Sequence, residues 1–183
     1  RKGLFLSAAN DFRNAGGTGL VLVHCPNFQC PPVTINEHKE AYLDTILMAE
    51  QVRENIDIDV RVVLGPHPAA FAHQFESWFS EHGEKGAQRA IENYNDSIDT
   101  ALEFIHEGKA VAIGEVGRPH WDAPKEVFDL SNKLLEETMK LARNEKVPLQ
   151  LHMEENGNQT FTDLEEMATR VGLDPFYLVR HFA

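Results

Sequence analysis

"KAVAIGEVG", residues 109–117, is an apolar run interrupted by one carboxylate, Glu115. An apolar stretch of this length, closed by glycine, suits a strand buried on both faces. Four other stretches share the pattern. They are "TGLVLVH" (18–24), "IDVRVVLGPHP" (58–68), "VPLQLHM" (147–153) and "PFYLVRHF" (175–182). Helical periodicity separates them. Residues 6–15 end on a glycine pair. Residues 36–54 carry Tyr42, Ile46, Ala49 and Val52 at three- and four-residue spacing. Residues 88–106 place Ile91, Tyr94, Ile98, Ala101 and Ile105 on one stripe. Residues 125–145 and 161–171 repeat the pattern, and Gly172 stops the last helix. Alternating helices and strands imply an α/β fold with a parallel sheet and right-handed crossovers. The candidate architectures are an open doubly wound sheet and a TIM-type (β/α) barrel. "GGTG" at 16–19 precedes a strand rather than following one, so it is not a dinucleotide-binding loop.

Totals exclude several function classes. The 183 residues carry a net charge of −12, which argues against an extended nucleic-acid surface. A small phosphate-facing pocket neutralised by metal remains compatible with that charge. No apolar run reaches the roughly 20 residues of a membrane span. Cys25 and Cys30 have no second pair to complete a zinc cluster, and they read as reduced thiols of a cytoplasmic protein. The oligomeric state is open.

In either architecture, chemistry collects at the carboxyl ends of the strands. Those ends carry His24, His67, Glu115, His152 and His181. Imidazole and carboxylate together are metal-hydrolase ligands, and strand tips fix their geometry. Each residue also has a plainer reading. Glu115 can pair with Arg118. His152 and His181 can be satisfied core histidines. His67, between two prolines, can cap a rigid turn. Arg118 can bind an anionic substrate group. His120 and Glu154, on the following loops, can line the pocket. His38, His73, His82 and His106 are expected at the surface.

"GPHP" (65–68), "AIGEVGRPHW" (112–121), "VPLQLHMEE" (147–155) and "VRHFA" (179–183), in this order, resemble the TatD-related metal-dependent hydrolases of the amidohydrolase superfamily. The likeness is nearest to an archaeal-type branch with an "AGGT" stretch, here 15–18, and it spans roughly residues 3–183. The resemblance implies a (β/α) barrel holding one or two divalent ions, Zn, Mn or Mg. It implies that Glu115, His152 and His181 are ligands and that His67 faces substrate. The family's opening strand carries a metal-binding His-x-His, whereas this chain opens at "RKGLFL". A later strand ends on an aspartate credited with activating the water, whereas this chain stops at Ala183. TatD nucleases also place an arginine soon after the fifth-strand histidine, where this chain has "HMEE".

About five of eight barrel strands are therefore expected, in one domain over 1–183 that is a segment of a longer protein with open sheet edges. The expected function is metal-activated water attacking a phosphoester, nucleic acid being one candidate substrate, with the segment by itself inactive. One alternative is an amide, lactone or carboxylic-ester hydrolase on the same barrel, favoured by the acidic charge and the missing arginine. Another is a non-catalytic barrel fragment.

Overall fold

A computed structural model describes residues 4–180. The chain runs α1 (Phe5–Asn14), β1 (Gly19–Val23), α2 (Ile35–Asn55), β2 (Asp59–Leu64), α3 (Pro68–His82) and α4 (Glu84–His106). It continues β3 (Ala112–Gly117), α5 (Lys125–Glu145), β4 (Leu149–His152), α6 (Asn158–Val171), a 3-10 turn (Pro175–Tyr177) and β5 (Leu178–Arg180). The strands form one sheet in the order β1-β2-β3-β4-β5, every neighbouring pair parallel. This is a five-stranded, half-barrel sheet with its strand order unchanged from the sequence, as in a partial TIM-type barrel. Among the described residues β1 and β5 are its two edges, and Val21 and Val179 on them are 55% and 53% exposed.

Local chemistry sets the elements. Thr34 caps α2 by accepting from the Glu37 N–H, while the Glu37 carboxylate accepts from the Val33 N–H at 2.9 Å and the Thr34 hydroxyl at 3.0 Å. That reciprocal arrangement is a capping box. On α2 the stripe His38, Tyr42, Thr45, Ile46, Ala49 and Val52 is buried. It packs with Val60, Val62 and Leu64 of β2. A second core joins α4, α5 and α6 to β3 and β4 through Ile98, Leu134, Leu135, Met139, Leu149 and Leu151. Each large apolar side chain so buried contributes roughly 1.5–3 kcal/mol. β3 passes its neighbours closely: a Cβ on Gly114 would stand 2.8 Å from the Gln150 carbonyl oxygen. No described helix is long and apolar enough to cross a membrane.

Two expectations about elements need correction. The strand in 58–68 runs Asp59–Leu64 and closes at Gly65 and Pro66 as expected, but Pro68, read as part of that closure, is the first residue of α3, a helix absent from the expected elements. Proline has no N–H to lose at a helix start and its φ is already helical, so it opens α3 rather than closing β2. The segment 175–182 begins as a 3-10 turn, because Asp174 caps it by accepting from the Phe176 N–H at 2.9 Å. Among the described residues of this segment, Leu178–Arg180 is strand.

Candidate metal centre

The ends of β2, β3 and β4 converge. Ladder pairing between β3 and β4 shifts register, Gly114 facing Gln150 and Val116 facing Leu151. Glu115 is the extra residue of that irregularity, the device by which a strand re-aims one side chain. Every other β3 residue is buried, whereas Glu115 is intermediate. One of its oxygens, Oε2, lies 3.1 Å from Nε2 of His67, and Oε1 lies 3.6 Å from Nδ1 of His152. One donor atom from each of His67, Glu115 and His152 falls within 4.8 Å of the others, the one such grouping among the described residues. Burial alone would raise the Glu115 pKa. Hydrogen bonds from His152 and His67 outweigh it and hold the carboxyl well below its usual range, so Glu115 is an anion.

Gly117 lets β4 come this near. Its φ is +147°, and a Cβ there would stand 2.1 Å from the carbonyl oxygen of His152. The same carbonyl accepts from the Arg118 N–H at 3.3 Å, which sets the loop after β3 against the end of β4. Nε2 of His152 is 2.9 Å from Nδ1 of His120, and the two rings meet edge-on with centroids 4.7 Å apart.

His67 differs from its neighbours in one decisive respect. It is the N-cap of α3, and its Nδ1 accepts from the Ala69 N–H at 3.1 Å. A neutral imidazole has one lone pair in the ring plane, so Nε2 must carry the hydrogen. That nitrogen faces Glu115 as a donor. The donor set therefore divides: Glu115 offers lone pairs suited to a divalent cation, His152 offers one once its Nδ1 carries no hydrogen toward Glu115, and His67 offers a fixed N–H.

Arg118 and Glu154, expected to bind substrate and to line the pocket, pair with each other. Arg118 is 3% exposed. Its Nε and Nη2 both donate to the Glu154 carboxylate. It also donates to Asn132 Oδ1 and Asp163 Oδ2, each at 3.1 Å. Its guanidinium lies 4.9 Å from the centroid of Phe128. This planar, bidentate pairing ties the loops after β3 and β4 to α5 and α6.

His24 follows β1 and lines a small cavity of about 30 Å³, lined also by His38, Tyr42, His67 and Asn93. Its Nδ1 is 3.0 Å from the Thr45 hydroxyl, and Tyr42 meets its ring edge-on at 4.8 Å. His38, expected at the surface, is buried there and bonds Asn93 Oδ1 at 3.0 Å. Its position carries the signal, since His38 stands four residues before Tyr42 on the buried stripe of α2. His73, His82 and His106 are exposed, as expected. His181 lies outside the described residues.

Burial, and then the nearby His38 and His67, lower the His24 pKa to about 4. An unfolded histidine titrates near 6.5. Between these values the unfolded chain binds the extra proton, so stability is complete above about pH 6.5 and falls as pH drops toward 4. The His24 contribution to that loss is about 2 kcal/mol at pH 4.5. Denaturant unfolding at pH 7 and pH 4.5 measures it. His24→Asn should flatten the difference, and an unchanged slope would remove His24 as its source.

A parallel half-barrel with a carboxylate and imidazoles gathered at its strand tips is compatible with a hydrolase centre. Residues 4–183 match the family described as TatD related DNase, and the chain belongs to that family. Its members are hydrolases, so the chain comes from an enzyme family. It is also 29% identical, over 174 residues, to an uncharacterized protein of Methanocaldococcus jannaschii, MJ1127. That match covers 94% of this chain and 58% of the relative, so the chain spans little more than half the relative's length.

Proposed function

We propose that this segment supplies the central part of the active site of a metal-dependent phosphoester hydrolase acting on a small or single-stranded nucleotide substrate. The observation that carries the reading is the convergence of Glu115, His152 and His67 within 4.8 Å at three adjacent strand ends. Glu115 and His152 would hold a divalent ion, Zn, Mn or Mg, with His181 a further ligand by family resemblance. The ion, when bound, acidifies water and draws charge from the ester oxygens. His67 holds its Nε2–H on the Glu115 carboxylate because Ala69 fixes the other nitrogen, so it orients that ligand without reorganising. His120 steadies the His152 ring through their hydrogen bond, the usual outer partner of a ligating histidine. The Arg118–Glu154 pair holds both loops in register and makes no substrate contact in this reading.

One observation favours a second reading, a carboxylic-ester or lactone hydrolase: Arg118, the cation nearest the site in sequence, is committed to Glu154 and Asp163. Full-length protein purified without chelator separates the readings. It should carry stoichiometric metal by elemental analysis. It should cleave a single-stranded oligonucleotide but not a lactone panel, lose that activity to chelator and regain it with Zn, Mn or Mg. His67→Asn keeps a cap for α3 and should retain the metal while turnover falls. Cleavage of lactones alone would establish the second reading. Absence of both metal and turnover would sink both and leave a non-catalytic barrel segment.

A further inference from the structure

Beside the candidate centre lies an open cleft of about 250 Å³ between the segment after β1 and the outer face of α3. Its walls include Phe28 and Val33 on one side and His73, Ser77 and Trp78 on the other. Among the described residues, no Lys, Arg, Asp or Glu lines it. Gln74, at its floor, has its amide committed: Nε2 donates to the Pro32 carbonyl at 3.2 Å and Oε1 accepts from Asn93 at 3.0 Å. The volume falls below the roughly 300–1,000 Å³ of clefts for drug-sized ligands, which suits one ring system and not an extended chain. The walls themselves carry no cation to pair a phosphate, and Arg89 lies over the Trp78 ring, 4.3 Å from its centroid.

Ring contacts link two of the cleft's walls to the centre. Phe28 meets the His67 ring edge-on, centroids 5.1 Å apart, although it is an apolar side chain 47% exposed. His73 stacks on Trp121 at 5.5 Å with ring planes 16° apart. Trp121 in turn meets His120 edge-on at 5.2 Å, and His120 bonds His152. An exposed phenylalanine against a buried cap histidine has no role in the core, and two aromatic routes lead from the cleft to one carboxylate. We propose that this cleft is a subsite for a planar aromatic ring borne by the scissile ester, with Phe28 and His73 as its specificity-determining residues. The proposal rests on the phosphoester reading above. It places ring recognition on stacking and leaves the charge of the ester to the metal centre, which accords with a net charge of −12 and a buried Arg118.

Trp78 lies in the cleft and Trp121 against His73, so the part of the intrinsic fluorescence change that Trp78→Phe and Trp121→Phe remove reports occupancy without turnover. Metal-loaded full-length protein is titrated with thymidine 5′-monophosphate, phenyl phosphate and 2-deoxyribose 5-phosphate. The two ring-bearing phosphates should quench the fluorescence and bind about tenfold tighter than the sugar phosphate, the scale of one stacked base. Phe28→Ala should erase that preference without weakening the sugar phosphate, and Phe28→Tyr should restore it. Thymidine monophosphate binding tighter than phenyl phosphate would identify a nucleobase as the ring; equal binding would identify the ring alone. Equal affinity of all three ligands overturns the subsite while leaving the phosphoester reading intact. So does an association between copies that Phe28→Ala abolishes. Binding of none of them, together with no oligonucleotide cleavage, overturns the reading on which the subsite rests.

Discussion

Glu115→Gln is expected to abolish stoichiometric metal binding and reduce hydrolysis by more than the 10- to 100-fold that follows loss of a ligand's outer-shell partner. Glutamine has nearly the same shape, so the fold should survive. What changes is charge. The native carboxylate sits between the His67 and His152 nitrogens at 3.1 and 3.6 Å and is held ionised by them. An amide there offers one neutral acceptor and an NH2 group. The amide oxygen would accept the fixed Nε2–H of His67, which leaves the NH2 group turned toward His152, where a ligating oxygen is needed. Elemental analysis and a single-turnover assay of the variant read both effects. A variant that retained full metal occupancy would remove Glu115 from the ligand set.

Gly117→Ala is expected to lower stability by about 4 kcal/mol or more and to remove the metal with it. Two penalties coincide there. A φ of +147° disfavours any side chain, and the added Cβ would stand 2.1 Å from the His152 carbonyl oxygen. Relief requires β3 and β4 to part, which breaks the Arg118 N–H bond to that carbonyl and carries His152 away from Glu115. Gly157→Ala is the control. Gly157 also has positive φ, +54°, but a Cβ there meets nothing within 4 Å. It should lose only about 1 kcal/mol. Equal losses in the two variants would show that backbone strain alone matters and that close approach of the strands does not.

Much of this geometry is legible in the amino-acid order. The five strands stand out because runs such as "AVAIG" and "VRVVL" are mostly apolar and bounded by glycine or proline. The strand-end placement of Glu115 and His152 follows from the same boundaries. α3 is hidden by "GPHP", where one proline ends the strand's extension and the next opens a helix. Its Phe71, Phe75 and Phe79 form a helical signal at four-residue spacing that the turn residues obscure. The partners of Arg118 are illegible for a different reason. Glu154 and Asp163 lie 36 and 45 residues away, and only sheet order brings them to the same loop. The role of His67 depends on a single bond to Ala69, a two-residue local contact that no spacing rule encodes.

The two flanks of the half-barrel mouth are fastened by different chemistry, and acid will release them in sequence. On the β1 side, His24 and His38 are held neutral by burial, so protonation pressure begins near pH 6.5. On the β4 side, burial would raise the Glu154 pKa, but Arg118 overrides it and keeps the carboxylate charged below its ordinary range. That clasp is complete above about pH 4.3 and weakens only as pH falls further. Acidification should therefore unzip the sheet from its first strand inward, while the strands that carry Glu115 and His152 stay joined longest.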